Sequence, residues 1–260
     1  MHLCDWHDHA GRVRCLRERV LHDEPVIPPF ALLAVDDAPA LQLKASQIWV
    51  RHHGLAGLPK PDGGPRRRGE KLRIGYFSAD FYQHATAHLL AGVLEKHDRA
   101  RFEITAFSFG HGADDAMRQR IVQACDRFLD VRQMADRQVV DLARQLGIDI
   151  AVDLKGFTAD SRPAILGYRP APVQVAYLGY PGTHGAPFID YLVADEFVVP
   201  PEARGAFDEN IIYLPGCYQV NDRARALPTG CARRAHQGLP DDGIVFAAFN
   251  NTYKITPAVF

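Results

Sequence analysis

Leu72-Arg-Ile-Gly-Tyr-Phe-Ser-Ala-Asp80-Phe-Tyr-Gln-His84-Ala-Thr86 reads as an apolar strand, a short polar turn and the opening of a helix. The apolar run predicts a strand over Leu72–Phe77, and the spacing after it predicts a helix over Thr86–Lys96. The same alternation continues downstream. Strands are expected at Phe102–Phe109, Ile148–Leu154, Val173–Leu178, Tyr191–Ala194, Ile211–Leu214 and Ile244–Phe249, with helices at Asp115–Cys125 and Asp136–Leu146. Strand and helix in turn imply an α/β fold, a Rossmann-like parallel sheet covered on both faces. Such sheets take ligands beyond the carboxyl ends of their strands. The unusual polar residues fall at those ends: Ser78 to Thr86, Lys155-Gly-Phe-Thr158, Gly179-Tyr-Pro-Gly-Thr-His184-Gly185, and Asn250-Asn-Thr-Tyr-Lys254.

The flanks differ in texture. Residues 1–57 carry helical spacing (Val13, Leu16, Val20, then Leu41, Leu43, Ile48, Val50), broken by Pro25, Pro28 and Pro29. Residues 58–70 read as a Gly/Pro linker ending near Arg66, Arg67 and Arg68. The Rossmann-like unit is expected over 71–235. A second α/β domain is expected to begin at 236–260 and to be truncated, because Thr256 and Pro257 suit a helix cap and first turn just before the last residue.

Apolar residues make up 47% and charged residues 23% of 260, with a formal net charge of -1. That balance suits a soluble globular chain and gives no global field toward nucleic acid or anionic membrane. The triple arginine lacks interleaved aromatics and reads as a solvated run. Five cysteines, with no C-x-x-C, argue for free thiols and a reducing compartment. With no signal sequence or membrane-length apolar run, the expected location is the cytoplasm.

Asp80 and His84, four apart, suit proton handling or hydroxyl binding; the competing reading has Asp80 capping the helix and His84 packing beneath it. Spacing alone does not choose. His88, one turn on, is expected to face inward behind them. Leu178-Gly-Tyr-Pro-Gly-Thr183 fits no Walker or G-x-G-x-x-G pattern, so it is either a close backbone approach to a ligand or a tight turn. Lys254, ahead of a helix start, suits a diphosphate, though a plain surface lysine reads the same way; Lys155 is a weaker candidate for that job. Cys4, His7, His9 and Cys15 match no standard zinc spacing. No D-x-D occurs, so a leaving diphosphate is expected to be stabilised by lysine and helix N-termini, without metal. There is also no G-x-S-x-G nucleophile elbow.

Three of these stretches resemble the O-linked N-acetylglucosamine transferases and SPINDLY enzymes of glycosyltransferase family 41. They are Leu72 to His88, Arg169-Pro-Ala-Pro-Val-Gln-Val-Ala-Tyr-Leu-Gly-Tyr-Pro-Gly-Thr183 with Asp190-Tyr191, and Phe249-Asn-Asn-Thr-Tyr-Lys-Ile-Thr-Pro257. Leu3-Cys-Asp-Trp6 and Pro29-Phe-Ala-Leu-Leu33 are similar to the stretch joining the family's tetratricopeptide repeats to its catalytic region. The resemblance covers essentially the whole chain and is nearest to bacterial members.

The resemblance implies a GT-B architecture and inverting transfer of N-acetylglucosamine from UDP-N-acetylglucosamine to Ser or Thr hydroxyls of proteins, with no metal or other cofactor. It places Asp80 and His84 at the catalytic centre. Thr86 and the loop Leu178, Gly179, Tyr180, Pro181, Gly182, Thr183 would border the sugar; Asn251 and Lys254 would border the diphosphate. Animal members carry a second active-site histidine in the stretch that here reads Pro28 to Leu33, where this chain has none. Asn251 matches the SPINDLY form, which keeps protein O-fucosylation from GDP-fucose as an alternative, beside a non-catalytic binding or scaffold role. Neither nucleic acid nor membrane is an expected partner.

Overall fold

The computed structural model describes residues 6–55, 70–111, 114–225, 230, 233–247, 249 and 251–257. The expected linker lies almost wholly outside them, as do Cys4 and Cys231. Three helices come first: α1 (His9–Leu21), α2 (Pro29–Leu32) and α3 (Pro39–His52). Prolines open α2 and α3 because a missing N–H costs nothing in a first turn. Val20, Leu32, Leu41, Ala45 and Ile48 close a small core between these helices.

The α/β unit then runs β1 (Leu72–Ser78), α4 (Ala85–Lys96), β2 (Phe102–Ser108), α5 (Ala116–Ala124), β3 (Arg127–Asp130), α6 (Asp136–Gln145), β4 (Ile150–Asp153), α7 (Pro163–Gly167), β5 (Val173–Ala176), β6 (Tyr191–Ala194) and β7 (Asn210–Tyr213). All pairings are parallel, in the order β3-β2-β1-β4-β5-β6-β7. The chain therefore winds outward from β1 to β3, then crosses back to β4 on the other side of β1. The β1/β4 boundary is the topological switch point, where open α/β sheets form their ligand crevice.

Side-chain alternation explains the two covered faces. Ile74 and Tyr76 of β1 pack with Ile104, Leu90, Leu94, Met117 and Ile121 under α4 and α5. Phe77 packs on the opposite face with Phe107, Val139, Val140, Ala143 and Ile165, under α6 and α7. Phe77 and Phe107 are register partners, and their rings stack at 4.4 Å between centroids. α3 joins this second face through Val50, so the N-terminal helices rest on the sheet layer.

Six of the seven expected strands are present, each shifted by no more than two residues at an end. β3 was not legible, since Arg127-Phe-Leu-Asp130 is a four-residue edge strand with charged ends. The five-residue α7 was too short to register. The expected strand Ile244–Phe249 needs correction: at 244–247 and 249 the backbone is not in a strand, and Ile244, Phe246 and Phe249 are 83%, 92% and 100% exposed. A parallel strand exists only through its neighbours, and none of the described strands flanks this run. The helix expected from Thr256 falls mostly on residues 258–260, outside those described; Thr252–Lys254 forms one 3₁₀ turn.

Candidate active site

Asp80 follows β1 and Lys155 follows β4, so the switch point brings them side by side. Lys155 Nζ donates to both carboxylate oxygens of Asp80, at 2.8 and 3.0 Å, and both side chains are buried. This corrects the reading of Lys155 as a diphosphate ligand: its ammonium is spent on Asp80. A buried ion pair with two hydrogen bonds is a specific geometric constraint rather than a generous source of stability.

His84 sits above this pair, its side chain 38% exposed, with Nδ1 3.6 Å from Asp80 Oδ2. The helix-capping expectation is reversed here. His84, not Asp80, is the N-cap of α4, and its Nδ1 accepts the Thr86 amide at 3.2 Å. An accepting Nδ1 places the proton of a neutral ring on Nε2. Asp80 is instead fixed by its own turn, where its amide donates to Ser78 Oγ at 3.0 Å. His88, on the next turn of α4, is half-buried.

The Leu178–Thr183 loop crosses the end of β4. A Cβ on Gly179 would overlap the Leu154 carbonyl oxygen and lie 3.1 Å from the Lys155 backbone nitrogen. Glycine is therefore required here by the approach of two strand ends. Leu178 itself holds a left-handed backbone, at φ 68. Gly182 is buried beside the Tyr180 hydroxyl, and Pro181 is the exposed crest. Tyr180 and Thr183 turn inward, Tyr180 against the Phe157 and His184 rings and edge-on to Phe30 at 6.4 Å. Phe30 lies in the stretch where a second active-site histidine was sought, so that stretch does reach the loop. Ser46 Oγ, from α3, donates to the Thr183 carbonyl at 2.8 Å.

Beneath the loop lies a group that sequence reading did not assemble. His184 is buried between Asp153 at the end of β4 (Nε2 to Oδ2 3.5 Å) and Glu209 just before β7 (Nδ1 to Oε1 3.4 Å). Neither contact meets hydrogen-bond geometry, so they act as charge contacts. Burial alone would depress the imidazole, but the two carboxylates outweigh it and push the pKa up to about 9. Glu209 is driven up by burial and more strongly down by His184 and Thr183, ending below its ordinary range. Glu209 also accepts the Thr183 hydroxyl at 2.8 Å and the His184 amide at 2.5 Å. Glu209 had no sequence signal, since its partners lie 25 and 26 residues upstream.

Arg169 and Asp190, inside the second familiar stretch, are structural. The Arg169 guanidinium pairs with Asp190 at 3.1 Å and donates to the Pro187 carbonyl at 2.8 Å, tying β5 to the approach to β6. Asn251 and Lys254 are exposed, on the 3₁₀ turn and its flank, beyond the seven-stranded sheet. A hollow of about 490 Å³ lined by Leu89, Val93, Lys96, His97 and Asp222 runs along α4 and contains none of the expected site residues. Among the described residues no group of three or more His, Cys, Asp or Glu side chains is placed to hold a metal ion, and no helix is long and apolar enough to cross a membrane. Cys15, Cys125 and Cys217 are free thiols.

The family model for glycosyl transferase family 41 matches residues 60–233. The chain is 35% identical to the Arabidopsis thaliana protein named "Probable UDP-N-acetylglucosamine--peptide N-acetylglucosaminyltransferase SEC", over 99% of this chain and 28% of that one. It is 31% identical to the Caenorhabditis elegans UDP-N-acetylglucosamine--peptide N-acetylglucosaminyltransferase, over 86% of this chain and 21% of that one. Among solved structures, a mutant of the Thermobaculum terrenum O-GlcNAc transferase superposes with a TM-score of 0.66 at 28% identity, covering 80% of this chain and 42% of that one. The chain thus spans 28% or less of the length of these curated relatives. With two of the three motifs seated at the switch-point edge of the sheet and the family model matched across most of the α/β unit, the chain belongs to glycosyl transferase family 41.

Proposed function

We propose that this chain supplies the acceptor-side half of a protein O-glycosyltransferase, which moves N-acetylglucosamine from UDP-N-acetylglucosamine to Ser or Thr hydroxyls with inversion. The observation that carries the reading is the Lys155–Asp80–His84 group at the β1/β4 switch point, beside a loop that Gly179 lets pack onto the end of β4. His84, with Nδ1 taken by the Thr86 amide, offers Nε2–H to an oxygen of the bound donor. Thr86, Leu178 and Pro181 border the sugar, and the loop meets it through main chain because Tyr180 and Thr183 face inward. Asn251 and Lys254 face the diphosphate from the far side, where a cation offsets the charge that develops on the leaving group. The absence of any D-x-D supports departure without metal, and free thiols support a cytoplasmic setting.

The test is mass spectrometry of Ser/Thr peptides incubated with the intact protein and either UDP-N-acetylglucosamine or GDP-fucose. Addition of N-acetylhexosamine is the expected result. Addition of deoxyhexose would replace the donor, in line with the SPINDLY-like Asn251, and no addition with either donor would leave a binding role. Lys254→Ala should lower transfer by about a hundredfold or more if it stabilises the leaving diphosphate.

A further inference from the structure

We propose that His184 is a positioning residue for the chemistry at Asp80, acting through the Asp153 turn that carries Lys155. The proposal rests on the transferase reading for its reaction, but not for its geometry. Asp153 Oδ1 accepts the Lys155 amide at 2.9 Å, and both its oxygens accept the Gly156 amide at 3.1 Å. That carboxylate therefore shapes the turn from which the Lys155 side chain reaches Asp80. His184 Nε2 faces the same carboxylate, 3.5 Å from Oδ2. Gly156 has φ 52, and a Cβ there would stand 2.9 Å from His184 Nε2, so turn and imidazole are packed without slack.

The other side of the ring is as closely set. Glu209 faces Nδ1, and the Phe157 and Tyr180 rings lie 5.3 Å away. Asp153, Glu209 and the Tyr180 phenol are the titratable groups the structure places against the ring from β4, the β7 approach and the loop. Charges thus alternate inward beneath His84: Asp80, Lys155, Asp153, His184 and Glu209. Removing the one cation between Asp153 and Glu209 leaves two buried carboxylates with no positive charge between them, a costly arrangement that opens the turn. Lys155 then withdraws from Asp80. A histidine serving only as core filling would have no such consequence.

Two measurements on the whole chain read the clamp without any activity. Histidine side-chain NMR, assigned with His184→Gln, should show a doubly protonated ring from pH 6 to 8; a neutral ring at pH 7 would overturn the proposal. Lysine acylation followed by mass spectrometry should find Lys155 at least tenfold slower to react than the more exposed Lys44. In His184→Gln its rate should rise at least fivefold, with Lys44 and Lys96 unchanged. If His184→Gln does not fold, Asp153→Asn, which removes the charge through which His184 acts on the turn, should shift Lys155 in the same direction. An unchanged Lys155 in either folded variant defeats the idea. On the intact enzyme, His184→Gln should lower kcat at least tenfold, leave the donor KM within twofold, and flatten the alkaline decline of the rate that loss of the imidazole proton causes in the wild type; a change confined to KM would contradict a positioning role. Should the wild type transfer nothing, the transferase reading fails, and the NMR and acylation results still decide the clamp.

Discussion

The strand ends at the switch point and the stretch Ile244–Lys254 carry the same kind of sequence, an apolar run followed by polar residues, yet they come to opposite ends. At the switch point every charged side chain has a designated partner: Lys155 on Asp80, and His184 between Asp153 and Glu209. In the other stretch Ile244, Phe246 and Phe249 stand in solvent. Neighbouring strands make the difference. β1 has β2 and β4 against it, which buries its carboxyl end and makes charge pairing obligatory. An apolar run gains a defined site only where a sheet already flanks it.

The first way to break this contrast is to remove half of a buried pair. Lys155→Met leaves the Asp80 carboxylate buried beside His84 alone and should cost about 3–5 kcal/mol of unfolding free energy. Adding Asp80→Asn should recover a good part of that loss. Denaturant unfolding of the single and double variants measures both. A single variant within 1 kcal/mol of wild type would mean that the pair is not a constraint at all.

Alkaline pH should act next in size. His184 has a folded pKa of about 9 against an ordinary 6.5, so its stabilising contribution is complete below about pH 6.5 and is lost as pH rises through 9. Two and a half pKa units correspond to roughly 3 kcal/mol as an upper bound. Glu209, lowered by the same contact, has the opposite sign: its share is present at neutral pH and lost as pH falls through its folded value. Unfolding measured across pH 6 to 10 should show the alkaline decline in wild type and a flatter profile in His184→Gln.

Gly179→Ala probes the backbone instead of the charges. The added methyl meets the Leu154 carbonyl oxygen, so strand end and loop must part, at a cost of about 1–3 kcal/mol. The shift should also raise Lys155 reactivity, because Gly179 lies against the Lys155 backbone amide and so against the turn that aims its side chain. A neutral substitution would show that the loop floats free of β4.

How much of this was legible in the chain follows the same division. β1, β2 and β4 to β6 announced themselves as mainly apolar runs, as strands covered on both faces do, and the exposed edge strand β7 through the short run Ile211-Ile-Tyr213. The meeting of Asp80 with Lys155 was legible only as a shared edge, since partner choice needs the crossing from β3 back to β4. His84 as the helix cap was hidden by the rarity of histidine in that role; Asp80 looked the better candidate by residue type. Glu209 gave no signal, because its neighbours Phe207 and Asp208 mark nothing and its partners come from another turn. The strand expected at Ile244–Phe249 failed on the one property that sequence patterning cannot supply, a neighbour to pair with.

The smallest effect tests that last point. Phe246→Ser and Ile244→Ser replace side chains that are 92% and 83% exposed, so they remove almost no buried apolar area in this chain. Large-to-small changes cost several kcal/mol only where atoms lose packing partners, and surface changes stay within about 0.5 kcal/mol. The unfolding midpoint should therefore match wild type within error, while Phe77→Ala, in the stacked pair with Phe107, should cost about 3–5 kcal/mol. If Phe246→Ser instead lost more than 1 kcal/mol, the stretch would be packing against the sheet layer, and the contrast between a partnered and an unpartnered run would have to be withdrawn.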